Sequence, residues 1–327
     1  VAANKGFFVA SLTPSAESVT GQLAVVRREL RETRGGRLYL SLVLSDRTGR
    51  IEARDWDNAA GHEPVFAPGA IVRVRATVEE FNGQRQLKIE RARACTEGEY
   101  NLADFVATSA YDVEEMYAAL GAIVAGVADE PLRRLLELVL CRYSKEWRQS
   151  PAAVRNHHAF AGGLLEHTLS VCRAAHALGA HYARLDCDLL IAGCLLHDIG
   201  KMREIEAGLS IDMSAEGRLV GHIGEGLIMF EECCREISDF PEERRMLLRH
   251  MIVSHHGLPE YGALKRPMTP EAIVLNALDE LDYKLECAFR AIDNATEAFS
   301  AWQKPMEREI YAVRCGPSAP APDATEE

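Results

Sequence analysis

Leu38-Tyr39-Leu40-Ser41-Leu42-Val43-Leu44-Ser45-Asp46-Arg47-Thr48-Gly49-Arg50-Ile51-Glu52-Ala53-Arg54-Asp55-Trp56 is the stretch whose reading decides the fold of the first third of the chain. Leucine falls at every second position from 38 to 44, and Ile51 and Ala53 alternate with Arg50, Glu52 and Arg54, so each half reads as a strand with one buried face. Between them, Asp46 to Gly49 are residues suited to a chain reversal. The pattern extends outward in both directions, with strands predicted over 21–31, 70–81 and 84–94 and breaks at Gly35-Gly36, Pro68-Gly69 and Asn82-Gly83. Asn-Gly between strand residues is a strong hairpin signal, because both turn positions tolerate positive φ. Five strands in a stretch of about 75 residues fit a small closed Greek-key barrel.

Beyond residue 97 the text turns polar, and from about 111 apolar residues recur at i, i+3, i+4 and i+7. This spacing predicts helices over 113–127, 130–144, 163–178, 188–197, 222–237, 241–255 and 270–300. Thr269 before Pro270 reads as a cap followed by a first-turn proline, and Asp186 or Asp188 as the cap of the helix leading to His197. The expected organisation is therefore multidomain: an all-β barrel over 1–96, a linker over 97–110, an all-α domain over 111–303, and a Pro- and Ala-rich tail over 304–327 whose end is expected to be disordered.

The 327 residues, about twice a typical domain, agree with two cores. Hydrophobic residues at 47% and charged residues at 26% exclude a mostly disordered chain. No apolar run is long enough for a membrane span, and the first 20 residues lack the pattern of a signal peptide, so the expected location is the cytoplasm and no membrane partner is expected. Nine cysteines, an odd number with no C-x-x-C pair, suit reduced thiols rather than a disulfide framework or a zinc finger. The net charge of −12 averages two unlike parts. Residues 18–95 hold 14 Lys and Arg against 10 Asp and Glu, a net of +4, which leaves −16 for the rest. A basic module joined to an acidic one points to a segment that handles polyanions.

Ligand chemistry belongs to the second part, since every histidine except His62 lies between His157 and His256. Five features stand out there: Glu166-His167, His197-Asp198, His222, His255-His256 and Asp279. Taken singly, each histidine is more often a hydrogen-bonded core or surface residue than a ligand. Taken together, imidazoles and carboxylates suit first-row transition cations, and a carboxylate can bridge two of them.

The flanking text carries a resemblance. Residues 40–56 fit Leu-x-Leu-x-Leu-x-Asp-x-x-Gly-x-Ile-x-Ala-x-x-Trp, which resembles the nucleic-acid-binding OB domains related to the anticodon-binding family. Asn156-His157-His158-Ala159, Gly162-Gly163-Leu164-Leu165-Glu166-His167, Leu196-His197-Asp198-Ile199-Gly200-Lys201, Gly221-His222, Ser254-His255-His256-Gly257 and Leu278-Asp279-Glu280-Leu281-Asp282 follow the order of the HD phosphohydrolase superfamily. With the barrel in front, the chain looks like the YhaM-type 3′-to-5′ exoribonucleases from about residue 7 to 300. The resemblance implies two divalent cations, manganese first among them with Fe, Co, Ni, Mg or Zn as alternatives. His167, His197, Asp198 and Asp279 would enclose one cation, and Asp198 would bridge to a second held by His222, His255 and His256. Asp198, Lys201 and His158 are the expected catalytic residues, Lys201 toward a phosphate oxygen and His158 toward substrate.

On the barrel, Arg54, Trp56, Arg73, Arg75, Phe81, Arg85 and Lys88 are the expected contacts to single-stranded RNA, or single-stranded DNA, through phosphates and stacked bases. The bland alternative makes the aromatics core or rim residues and the arginines a solvated face. Relatives commonly carry His where this chain has Asn276, three residues before Asp279. Asp282 is equally spaced on the other side, which leaves open which carboxylate reaches the metal. Glu166 is expected to orient a neighbour or to lie outside the metal shell. The expected activity is a metal-dependent exoribonuclease acting through a metal-activated water. Alternatives are an HD phosphohydrolase of mononucleotides or signalling nucleotides, and a non-catalytic nucleic-acid-binding scaffold. The apolar helices over 113–144 are compatible with a homo-oligomer.

Overall fold

The computed structural model describes residues 5–33, 35–81, 83–101, 104–106, 109, 111–154, 160–208 and 211–312. Five strands form the barrel: β1 (Ser15–Glu32), β2 (Leu38–Asp46), β3 (Gly49–Asp55), β4 (Ile71–Phe81) and β5 (Gln84–Ala94), with a short helix α1 (Ala59–His62) between β3 and β4. The order around the barrel is β1-β2-β3-β5-β4, closed by a parallel β3–β5 pairing among otherwise antiparallel neighbours. Leu40, Leu42 and Leu44 are fully buried, as the alternation requires, and meet Val72, Val74 and Leu87 inside.

β1 is longer than its pattern predicted because it serves two neighbours. Its first part pairs with β4 and its second with β2, and a bulge between Val25 and Arg27 lets it turn from one to the other. Part of the expected linker is packed on the barrel. Arg47 donates its backbone N–H to the Asp104 carbonyl, and Phe105 is buried against Ala24 and Ile71.

The second part is helical: α2 (Val113–Ala125), α3 (Glu130–Arg142), α4 (Ser144–Gln149), α5 (Gly163–His181), α6 (Cys187–Leu196), α7 (Lys201–Glu204), α8 (Ala215–Leu219), α9 (Gly221–Cys234), α10 (Glu242–Ser254) and α11 (Pro270–Asp293). Among the described residues it departs from the all-α expectation in a short hairpin and in isolated bridges at Phe299 and Gln303. A hairpin of β6 (Ile205–Ala207) and β7 (Ile211–Met213) interrupts the helices, because Ile205, Ala207, Ile211 and Met213 alternate at period two rather than following a helical stripe. The predicted 130–144 helix divides at Tyr143, and the 270–300 helix stops at Asp293. Thr269 and Asp186 cap as expected, while Asp188 accepts from the N–H groups of Ala128 and Asp129 and so ties α6 to the turn before α3. Among the described residues no helix is long and apolar enough to cross a membrane.

Helix α6 is the centre of this body. Every residue from Leu189 to Leu196 is buried, so the helix has no polar face and is enclosed by α3, α5, α10 and α11. Its C-terminal end therefore delivers His197 and Asp198 into the interior. Two devices fix α9 and α10 relative to that end. Gly200 brings the start of α7 against α9 so closely that a Cβ there would lie 1.9 Å from the His222 carbonyl oxygen and 2.4 Å from the Gly226 nitrogen. On the far side, Glu231 of α9 accepts from both Arg245 and Arg249 of α10.

Two outcomes follow from these devices. Gly200→Ala forces two backbone segments apart and should cost about 3 kcal/mol of stability, read by denaturant unfolding; a loss below about 0.5 kcal/mol would contradict the close approach. Burial works against the charge on Glu231, yet Arg249 and Arg245 outweigh it and hold its pKa at about 2 against an ordinary 4.5. A depressed carboxylate contributes stability that is present above pH 4.5 and lost as pH falls towards 2. Glu231→Gln should cost about 1–3 kcal/mol at pH 7, and the gap to wild type should close across that acid window.

Candidate metal centre

His167 lies on α5, His197 and Asp198 directly after α6, His222 in the first turn of α9, His255 and His256 directly after α10, and Asp279 on α11. Five separate stretches thus meet at the end of the buried helix. Their ligand atoms fall into two groups, His167–His197–Asp198–Asp279 and His222–His255–His256, each within 4.8 Å of one another. Asp198 stands between them. Its Oδ2 is 3.3 Å from His197 Nε2 and 3.6 Å from His167 Nε2, while its Oδ1 is 3.6 Å from the Nε2 atoms of His222 and His255. Asp279 Oδ1 completes the first group at 3.3 Å from His167 and 3.8 Å from His197.

The rings are held from behind. His197, His255 and His256 donate Nδ1–H to the carbonyls of Cys194, Ile252 and Tyr261, and the Nδ1 atoms of His167 and His222 face Asp282 and Glu204. Fixing a proton on Nδ1 turns the Nε2 lone pair of the neutral ring inward.

The donor set fits divalent cations on observations of its own. Asp198 Oδ1 and His255 Nε2 are buried and make no hydrogen bond among the described residues, a costly arrangement unless a cation accepts their lone pairs. The Nε2 atoms of His222 and His256 face each other at 3.3 Å although both rings have their Nδ1 engaged. Burial keeps His255 and His256 below the ordinary imidazole range and hence neutral, the form that ligates. Burial also opposes a charge on His167, but Asp279 and Asp282 outweigh it and push its pKa up to about 10, so this pocket favours positive charge at Nε2. Nitrogen and carboxylate donors of this kind suit first-row transition ions.

Lys201 reaches Asp198 Oδ2 at 2.6 Å from a new helix, since α6 ends at Leu196 and α7 starts at Lys201. Burial works against its charge, and Asp198 and Asp279 outweigh that and raise its pKa. Burial likewise disfavours charge on Asp198, and Lys201 with His197 holds its carboxyl well below the usual range. Asp282 stays outside the two groups, bonded to His167 Nδ1 and to the Ser170 hydroxyl. Asn276 donates to the His255 carbonyl at 2.6 Å and so holds the His255-His256 turn. Glu166 accepts from the Ser109 hydroxyl, away from the metal groups. His158 lies outside the described residues.

Glu204 was missed by the sequence reading. Its signal, a carboxylate three residues after Lys201 and so one turn along, was available.

The barrel positions are more varied. Trp56 stacks on Tyr39 with ring centroids 4.4 Å apart, and Tyr39 was not anticipated. Arg54 and Lys88 are register partners on β3 and β5, each flanked by buried inward residues, so both point outward. Arg54 also pairs with Glu52 at 2.6 Å, and Arg75 with Glu90 at 3.2 Å. Arg73 precedes buried Val74 on β4, and Phe81 is exposed at the β4 end. Arg85 donates to the Leu12 carbonyl and so ties the N-terminal segment to the barrel.

Comparison with known proteins agrees with both halves. Residues 18–94 match the OB-fold nucleic acid binding domain and residues 164–284 match the HD domain. The 3′-5′ exoribonuclease YhaM of Bacillus subtilis (strain 168) is 35% identical over 79% of this chain and 82% of its own length. The protein of the same name from Geobacillus sp. (strain WCH70) is 36% identical over 85% of this chain and 84% of its own. Among solved structures, the second OB-fold domain of replication protein A from Methanococcus maripaludis is similar over 28% of this chain and 96% of its own, with 22% identity and a TM-score of 0.24. An OB-fold module ahead of an HD domain, matched along four fifths of the chain, makes this protein a member of the YhaM family of 3′-5′ exoribonucleases.

Proposed function

We propose that this protein is a metal-dependent 3′-to-5′ exoribonuclease that hydrolyses single-stranded RNA with two divalent cations, manganese first among the candidates. The observation that carries the two-cation reading is Asp198, whose two oxygens face different groups of ligand atoms. His167, His197 and Asp279 would hold one cation and His222, His255 and His256 the other, with Asp198 shared. When bound, such a pair supplies Lewis-acid polarisation of the phosphoryl oxygens and an acidified attacking water for in-line displacement.

The chain's own residues do the rest. Five imidazoles, fixed through Nδ1, leave the centre less negative than an all-carboxylate site, so that a phosphodiester can approach. Asp198 and Asp279, held ionised, would supply the oxygen donors of the centre, Asp198 to both groups. Lys201, held beside Asp198 Oδ2, is poised to donate to a non-bridging phosphoryl oxygen, where its charge stabilises the negative charge that develops. The basic outer face of the barrel with the Trp56–Tyr39 stack offers phosphate contacts and a platform for bases. That supports an oligomer as substrate over a free mononucleotide, for which a strand-holding module has no use.

A time course on 3′-labelled and 5′-labelled single-stranded RNA tests the reading. The 3′ label should leave first as a nucleoside 5′-monophosphate, and chelation should stop turnover until Mn2+ is restored; comparable hydrolysis of free nucleotides would favour a mononucleotide phosphohydrolase instead. Asp198→Ala and His197→Ala should each lower kcat at least about 10³-fold and leave oligonucleotide Kd within about threefold. Full activity in either variant contradicts the assignment. Trp56→Ala should weaken oligonucleotide binding by about 1–3 kcal/mol per lost stack with little change in kcat.

A further inference from the structure

The five imidazoles around Asp198 are backed by acceptors of two kinds. His197, His255 and His256 use main-chain carbonyls at 2.8, 2.8 and 2.6 Å. His167 and His222 use carboxylates, Asp282 at 2.7 Å and Glu204 at 3.1 Å. A carboxylate behind an imidazole fixes its tautomer and raises its basicity as a ligand. Each group of ligands contains one such ring.

The two groups differ in the charge they bring. The His167 and His197 group also has Asp279, one oxygen of Asp198, and Asp282 behind. The other group has three imidazoles and the remaining oxygen of Asp198. Among the described residues Glu204 is the one further carboxylate within ion-pair distance of its rings. Glu204 is well held for this purpose. The same Oε1 accepts the backbone N–H of His222 at 2.9 Å, and the Glu204 carbonyl accepts the N–H of Ser214.

Resting on the two-cation reading above, we propose that Glu204 is a positioning residue that sets the affinity of the His222–His255–His256 position, and that this position is the weaker of the two. Titration of metal-stripped full-length protein with Mn2+ by calorimetry, together with metal analysis, reads both positions without turnover. Wild type should take two ions with distinct constants. Glu204→Gln keeps an oxygen for the His222 N–H and removes only the charge. It should weaken the weaker constant about 10–100-fold and leave the tighter one within about twofold, whereas Asp282→Asn should move the tighter one. In a His222→Ala background, Glu204→Gln should change metal binding no further, because it acts through that ring; a merely structural contribution would add in full.

Unchanged constants in Glu204→Gln, or a loss that falls on the tighter constant, overturn the proposal. A wild-type protein that binds one ion refutes the two-cation reading itself, a result distinct from two ions with an insensitive weaker constant. Should Glu204→Gln fail to fold, as read by circular dichroism of the metal-stripped protein, Glu204→Asp decides instead: it keeps the charge but shortens the reach to His222 Nδ1, and should weaken the weaker constant alone, unchanged constants overturning the proposal.

Discussion

A carboxylate that is 1% exposed, Asp198, is the constraint around which the helical body is arranged. Removing a charge from water costs several kcal/mol unless partners compensate it, and Asp198 is surrounded by them: Lys201 at one oxygen, imidazoles at both. His167, His222 and His255 arrive from three other stretches of chain, so the helices must meet at one point with little tolerance. The apolar α6 that drives Asp198 inward, the missing side chain at Gly200 and the Glu231 clamp between α9 and α10 all serve that convergence.

Much of this was legible because its signals are local. Period-two leucines fixed β2, the turn residues fixed its partner, and the switch to a 3.6 period separated barrel from helices. The metal groups were legible in a weaker sense. Spacing alone left each histidine ambiguous, and the joint order of His167, His197-Asp198, His222, His255-His256 and Asp279 resolved them only through resemblance. What stayed hidden depends on contacts made across the fold. Asp279 and Asp282 sit symmetrically about one turn of helix, and only the packing of α11 on α5 separates a carboxylate that faces the centre from one that backs His167. The Tyr39 stack and the Arg85 contact stayed hidden for the same reason: the ring beneath Trp56 comes from a neighbouring strand, and the carbonyl that engages Arg85 comes from the N-terminal segment.

The two halves divide electrostatic labour. The barrel carries a modest positive excess spread over outward strand positions, several of them already paired with glutamates, as Arg54 is with Glu52 and Arg75 with Glu90. Such pairs are exposed and worth little individually, so a phosphate can exchange for a carboxylate at small cost. The body carries the chain's acidic excess, and Lys201 beside Asp198 is a fixed basic side chain at its centre. Arg50 on β3 joins the halves by donating to the Ile211 carbonyl of β7.

The hairpin that broke the helical pattern leaves the core at Glu204 and returns at His222, and its base is sealed. Ser214 bonds to the backbone of Arg203 and Glu204, and a Cβ on Gly217 would lie 2.3 Å from the Glu204 carbonyl oxygen. A detour closed at its neck is insulated from its own length, since doubling a flexible loop costs only about 0.6 kcal/mol. Chain can therefore be added between β6 and β7 without moving His222.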